Sequence, residues 1–394
     1  MNAAGDRVDV LMFVEDPGAA NYVAPLPRML HLIDGIHTSV LAREPAASQL
    51  RSLGAKFLTV GDDAHAEAVI SEQHPNLVMV GTSENPDSLG LALIDLSKEK
   101  RIPTIGVVDS RANVEHRFGG GTDNPHAHAP DIVIVPDEQT RHAFLSLGFH
   151  EEKVVSCGHP HYDHVRDERR RLEEVGAEQL RRSHGFAPAK NQTIIVFCAE
   201  ISAGLKPQQF LRSAEYTLSG DARHSQRTEI VLDEFLAGFN AQKEKPYLVL
   251  RLHPKNDRED FAEFLSNFDL ISEGGSSLEV VFCGDLIVGM TSVILTEAAL
   301  LGRATVSIVP RLSERDWLPT IAMGITKTCT TSKEILEVFS DELEAHQPDA
   351  TALDLGLPKD STERVCRLIA SVLDQGILDH EPRFSLDANR LNSQ

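Results

Sequence analysis

Short apolar runs alternate with amphipathic stretches along most of the chain. The first series predicts strands at 8–14, 38–41, 56–60, 77–81, 104–108, 132–136 and 154–157, with a first helix at 23–32. A second series starts again with strands at 193–198, 247–252, 268–271, 286–288 and 304–309, and ends in helices at 332–344 and 361–373. Strands that read as apolar throughout, separated by helices, predict parallel sheets covered on both faces. The expected class is therefore α/β, with two Rossmann-like doubly wound domains facing a cleft. The pattern divides the chain into a first domain at 1–165, a densely charged helix and linker at 166–192, a second domain at 193–345, and C-terminal helices and tail at 346–394. Residues 381–394 read as polar and frayed.

Size and charge narrow the function classes. A chain of 394 residues is too long for one ordinary core and suits two. Its 38 basic and 59 acidic residues give a formal net charge of −21, which repels nucleic acid and anionic membranes at long range. The five cysteines, Cys157, Cys198, Cys283, Cys329 and Cys366, are widely spaced in apolar settings and read as reduced core residues. No signal-like segment opens the sequence and no apolar run is long enough to span a bilayer, so a cytoplasmic location is expected.

The candidate chemistry sits where strands end. Leu286-Ile-Val is followed by the turn Gly289-Met-Thr-Ser292 and a helix closed by Gly302. Such a turn aims backbone N–H groups, with the Thr291 and Ser292 hydroxyls, at an anion above the helix start, and Glu297 lies where it would reach ribose hydroxyls. The plain alternative makes Thr291 or Ser292 an N-cap and nothing more. Arg251, His253 and Lys255 alternate at the end of Leu248-Val-Leu-Arg-Leu-His-Pro-Lys255, a set of potential cations suited to phosphate. In the first half, Asp16 and Gly18 lie in the loop after the first strand, where Gly18 permits close approach of a ligand. A capping role for Asp16 or Asn21 is the alternative. Asp109 and Glu84 are further carboxylate candidates for acid–base work, and Glu200 enters from the second domain. The glycine- and histidine-rich stretch 111–128 reads as a mobile loop over the cleft, with His116 as a candidate base.

One string stands apart from these loops. His159-Pro-His-Tyr-Asp-His164 resembles the His-x-His-x-Asp-His signature of metallo-β-lactamase-type hydrolases, which would imply a zinc or iron pair. Its late position and the charged run that follows it disfavour that reading.

Taken together, Ile132-Val-Ile-Val-Pro-Asp-Glu, Lys153-Val-Val-Ser-Cys-Gly-His-Pro160, Arg251-Leu-His-Pro254 and Gly289-Met-Thr-Ser292 through Glu297-Ala-Ala-Leu-Leu-Gly302 resemble segments of the GT-B glycosyltransferase superfamily. That superfamily includes lipid A disaccharide synthase, the UDP-N-acetylglucosamine 2-epimerases and transferases using CMP- or CDP-linked donors. The resemblance implies that Gly158-His-Pro160 closes the first domain at the hinge, which accounts for His159 without a metal. It also implies that Arg251, His253 and Lys255 contact donor phosphates, with Gly289, Thr291 and Ser292 at the helix start and Glu297 on ribose. Asp16, ahead of Asp109, would take the acceptor proton. The chain departs from the 2-epimerases at Gly289-Met-Thr-Ser292 and in placing Phe197-Cys-Ala-Glu200 where they carry His-Arg-x-Glu-Asn. The expected activity is metal-independent, cofactor-free transfer of a sugar-like group from a nucleotide-activated donor to an acceptor hydroxyl. A UDP-sugar 2-epimerase or nucleotide-sugar hydrolase is the alternative. The partners expected are the nucleotide-activated sugar and an acceptor of unassigned class, and the assembly is left open between a monomer and a homodimer.

Overall fold

A computed structural model of the chain describes residues 7–83, 88–200, 207–243, 245–344 and 357–375. Seven parallel strands form the first sheet: β1 (Val8–Val14), β2 (Ile36–Ala42), β3 (Leu58–Thr59), β4 (Leu77–Gly81), β5 (Thr104–Val107), β6 (Ile132–Val135) and β7 (Val154–Ser156), in the order β3-β2-β1-β4-β5-β6-β7. Six more form the second: β8 (Ile194–Cys198), β9 (Tyr247–Arg251), β10 (Leu270–Ser272), β11 (Leu286–Gly289), β12 (Ala304–Ile308) and β13 (Lys327–Cys329), in the order β10-β9-β8-β11-β12-β13. Each sheet is doubly wound, and its strand order reverses beside its first strand, between β1 and β4 and between β8 and β11.

The helices around the first sheet are α1 (Pro17–Val23), α2 (Leu26–Leu30), α3 (Ala46–Ser52), α4 (Ala66–Gln73), α5 (Leu89–Glu99) and α6 (Glu138–Ser146). Then follow α7 (Pro160–Val175), α8 (Ala177–Ser183), α9 (Arg227–Asn240), α10 (Ser277–Cys283), α11 (Ile294–Leu300), α12 (Pro319–Ala322), α13 (Ser332–Glu344) and α14 (Ser361–Gln375). Successive β1 side chains feed opposite layers, as the period of a strand requires. Val10, Met12 and Val14 join a core with Tyr22 of α1, whereas Leu11 and Phe13 join one with Val69 of α4 and Ile94 of α5. The second sheet does the same, with Ile195 and Phe197 packing towards Phe235 and Phe339, and Val196 towards Leu172, Leu180 and Leu295.

Three expectations need correction. The helix expected at 23–32 is only α2, set off from the end of α1 at Val23 by a turn, because Pro25 and Pro27 lack the N–H groups that an uninterrupted helix would use. The charged stretch at 166–192 is largely helical with a mostly solvent-facing surface, but it is not a free linker: α7 begins at Pro160, and Leu172 and Leu180 are buried against the second sheet. The final described helix, α14, returns to the first domain, where Val365, Cys366, Ile369 and Val372 complete its core. Gly158 carries this crossing. Its φ of +85° suits glycine, and a Cβ there would lie 2.2 Å from Ser361 Oγ. The tail expected at 381–394 lies outside the described residues. No helix among the described residues is long and apolar enough to cross a membrane.

Candidate functional site

The C-terminal ends of both sheets open onto a single cavity of about 1330 Å³. Ligands of doubly wound sheets bind at such ends, beside the reversal of strand order. From the first domain, Asp16 enters on the turn between β1 and α1, Gly18 in the first turn of α1, and Asp109 after β5. From the second come Glu200 after β8, Arg251 and Lys255 at and beyond the end of β9, and Thr291 and Ser292 after β11.

The two sides touch across the cleft. Lys255 Nζ donates to Asp16 Oδ1 at 2.7 Å, and both side chains are about one quarter exposed. Asp16 precedes α1 in an extended conformation without a side-chain capping bond, so its carboxylate is directed to Lys255 and not to the helix. Asp109 pairs with the buried Arg117, Nη1 to Oδ1 at 3.2 Å. Its other oxygen lies so close to α1 that a Cβ built on Gly18 would come within 1.9 Å of it. Gly18 therefore makes room for Asp109. Gly289 has no such constraint, since a Cβ there would make ordinary contacts of 3.5 Å.

The expected trio of cations after β9 resolves into three different groups. The Arg251 guanidinium is engaged with the Ser272 hydroxyl at 3.1 Å, the Gly275 carbonyl at 3.1 Å and the Gly274 carbonyl, so it braces the loop after β10. His253 is neutral: burial, reinforced by the Lys255 charge, pushes its pKa down to about 4, and its Nδ1 accepts the Lys255 N–H at 3.1 Å. All three line the cavity, and Lys255 is the one that reaches across it to Asp16.

Glu200 is the most heavily coordinated carboxylate at the cleft wall. One oxygen accepts the N–H groups of Thr291 and Ser292, each at 2.5 Å. The other accepts the Thr291 hydroxyl at 2.9 Å and Arg227 Nη1 at 3.1 Å. Arg227 is 2% exposed and also pairs with Glu314, which in turn binds Arg311. Burial pushes Glu314 up, but the two guanidiniums outweigh it and hold the carboxyl below its ordinary value. The turn before α11 thus gathers its donors on a carboxylate of the protein itself. Val293 precedes α11 in a helical conformation, and the Ser292 hydroxyl accepts the Ile294 N–H at 3.4 Å, so Ser292 also contributes a capping bond to this helix.

Glu297 is also paired: His161 Nε2 lies 2.9 Å from its Oε1 in a buried contact between α7 and α11. The remainder of the His-x-His-x-Asp-His string diverges. His159 is buried, its Nδ1 accepts the His161 N–H at 3.3 Å, and its ring stacks on Tyr162 at 4.6 Å. Asp163 turns to α14, accepting the Thr362 N–H and hydroxyl at 2.9 and 3.1 Å. Among the described residues, no group of three His, Cys, Asp or Glu is placed to hold a metal ion. His159, His161 and Asp163 are thus each engaged with protein partners. The loop at 111–128 is pinned by buried Phe118, by His128 on Asp95 at 2.7 Å and by His126 stacked on Phe149 at 4.3 Å. His116 contacts Glu115 at 3.5 Å and does not line the cavity. Glu84 lies outside the described residues.

No protein-family model matches the chain, and no curated protein matches it. Solved structures do. A putative UDP-N-acetylglucosamine 2-epimerase from Listeria monocytogenes superposes with a TM-score of 0.65 at 15% identity, over 96% of this chain and 99% of that one. The S. aureus MnaA–UDP co-structure gives 0.64 at 15% identity, over 95% and 99%. The Methanocaldococcus jannaschii UDP-GlcNAc 2-epimerase in complex with UDP-GlcNAc and UDP gives 0.63 at 14% identity, over 92% and 100%. The fold is GT-B.

Of the residues lining this GT-B cleft, Arg227 and Arg117 pass unmarked in the sequence, and His161 stands out there only as a candidate metal ligand. Arg227 lies on the stripe of α9 that carries the buried Ile230, Val231 and Glu234, and an arginine in such an apolar face is a visible signal of a buried ion pair. Arg117 and His161 give no comparable signal, since their partners Asp109 and Glu297 come from other elements.

Proposed function

We propose that the chain acts on a nucleotide-activated sugar held between its two domains, altering the sugar or its bond to a nucleoside diphosphate without a second substrate. The activity is that of a 2-epimerase or nucleotide-sugar hydrolase. The observation carrying this reading is one cavity in which carboxylates of the first domain, Asp16 and Asp109, face Lys255 and the Arg227–Thr291 donor set of the second. A departing diphosphate accumulates negative charge, and fixed cations and N–H groups at that point lower the barrier. The facing carboxylates are suited to take a proton from the sugar or from water. GT-B neighbours solved with UDP and UDP-GlcNAc support the choice of ligand. No metal is required by this chemistry.

Transfer to an acceptor hydroxyl is the second reading. It is favoured by Phe197-Cys-Ala-Glu200, which stands where the 2-epimerases carry His-Arg-x-Glu-Asn and whose Glu200 is held by four donors. Incubation with UDP-GlcNAc in D₂O without acceptor, followed by NMR, separates the two. Epimer, deuterium at C2 or free UDP is expected. A donor that stays intact until an acceptor is added would establish transfer instead.

A further inference from the structure

The donor set around Glu200 has the composition of a phosphate seat. Two N–H groups, a hydroxyl and a guanidinium meet on one carboxylate that lines the cleft. The cluster is balanced in charge as it stands: Arg227 and Arg311 against Glu200 and Glu314. A diphosphate placed beside Glu200 would add negative charge to a poorly solvated cluster already neutral, and that is costly. A diphosphate placed in its stead keeps Arg227 paired and every donor satisfied.

Glu200 is also positioned to leave. Strand β8 ends at Cys198, and Ala199 is held by its N–H on the Arg251 carbonyl at 2.9 Å. The Glu200 carbonyl accepts the Thr228 hydroxyl at 3.2 Å, so its backbone is anchored and only side-chain rotation is needed to release the carboxylate. Glu314, by contrast, is fully buried and stays with Arg227.

We propose that Glu200 is a built-in anion occupying the phosphate seat of the ligand-free cleft, and that a diphosphate-bearing ligand binds by displacing it and taking over Arg227 and Thr291. Glu200 thereby sets the affinity for anionic ligands. The identity of the ligand rests on the nucleotide-sugar reading, but the displacement itself is measurable with a simpler anion. Because the carboxylate competes for the seat, the wild-type affinity is reduced by the fraction of molecules in which the seat is open.

The test is calorimetric titration of the full chain with inorganic pyrophosphate, comparing wild type, Glu200→Ala, Glu200→Gln and the control Glu99→Gln. Glu99 is exposed at the end of α5, so the control makes the same change in net charge away from the seat. The Gln variant keeps an oxygen for the Thr291 and Ser292 N–H groups, which preserves the local fold. Binding about tenfold tighter or more in Glu200→Ala, intermediate in Glu200→Gln and unchanged in Glu99→Gln is expected. Unchanged, weaker or absent pyrophosphate binding in both Glu200 variants, with intact circular dichroism, overturns the proposal. Failure to turn over any nucleotide sugar while these affinities shift as stated would overturn the functional reading and leave this one standing.

Discussion

Lys255 Nζ and Asp16 Oδ1 lie 2.7 Å apart, joining the loop after β9 in the second domain to the turn before α1 in the first. A pair this exposed contributes little to folding, roughly 1 kcal/mol or less. If the cleft acts on a nucleotide sugar as proposed, the position of Lys255 matters more to chemistry than to folding, because a cation fixed beside a leaving phosphate is worth on the order of a hundredfold in rate. Lys255→Met should therefore lower kcat for a UDP-sugar by about that factor while leaving Tm almost unchanged. Parallel thermal melts and initial rates check the split, and an unaffected rate would reduce Lys255 to a structural contact.

Gly18→Ala acts on a different point of the same wall. The new methyl carbon would lie 1.9 Å from Asp109 Oδ2, so either Asp109 leaves Arg117 or α1 moves. Overpacking of this kind costs about 1–3 kcal/mol. The expected result is an earlier urea midpoint together with loss of turnover, and a variant with full activity would show that the placement of Asp109 is immaterial.

Acid should weaken the fold earlier than carboxylate titration alone explains. An unfolded histidine has a pKa of about 6.5, whereas burial holds His253 at about 4 and pushes buried His159 down as well. The unfolded chain therefore takes up protons first as pH falls. The stability these neutral rings contribute is complete above about 6.5 and is lost towards the folded-state value. Calorimetric Tm should fall between pH 6.5 and 5, and His253→Asn, whose amide oxygen can still accept the Lys255 N–H, should flatten that slope. An equal slope in wild type and variant would contradict this assignment.

All five cysteines are buried and free, and burial raises each thiol to about 12. Thiolate is the reactive form, so the native protein should resist a disulfide reagent such as DTNB. After denaturation in guanidinium all five should react. Rapid labelling of the native protein would mean that one of these sites opens readily.

The layered fold is legible in the sequence because central strands such as β4, β6, β8 and β11 are apolar, fully buried runs. Strand β1 and helix α13 have the bounds their patterns suggest, Val8–Val14 and Ser332–Glu344. Strand β13 is not legible, being three residues long with an exposed Lys327 and depending on pairing to β12 for its existence. Helix α7 hides its buried positions, with Tyr162 and Val165 among histidines and Leu172 inside a run of charges. At the site, the pattern brings the right loops together and assigns charges less well. Arg251, His253 and Lys255 look equivalent in a string, but β9 ends at Arg251, and the turn that follows sends the three side chains to different partners. The anion at Thr291 and Ser292 reads in the sequence as a ligand, because nothing local ties Glu200 to a turn ninety-odd residues away.

The central claim is that the cleft between the two sheets receives a nucleoside diphosphate, and a thermal-shift titration with UDP, CMP, CDP, GDP and dTDP tests it most directly. A ligand of the folded protein raises Tm as its concentration exceeds Kd. The account predicts a saturable rise with UDP that is larger than with uridine and is reduced in Lys255→Met. No rise with any nucleoside diphosphate up to millimolar concentration, in wild type or in Glu200→Ala, would contradict it.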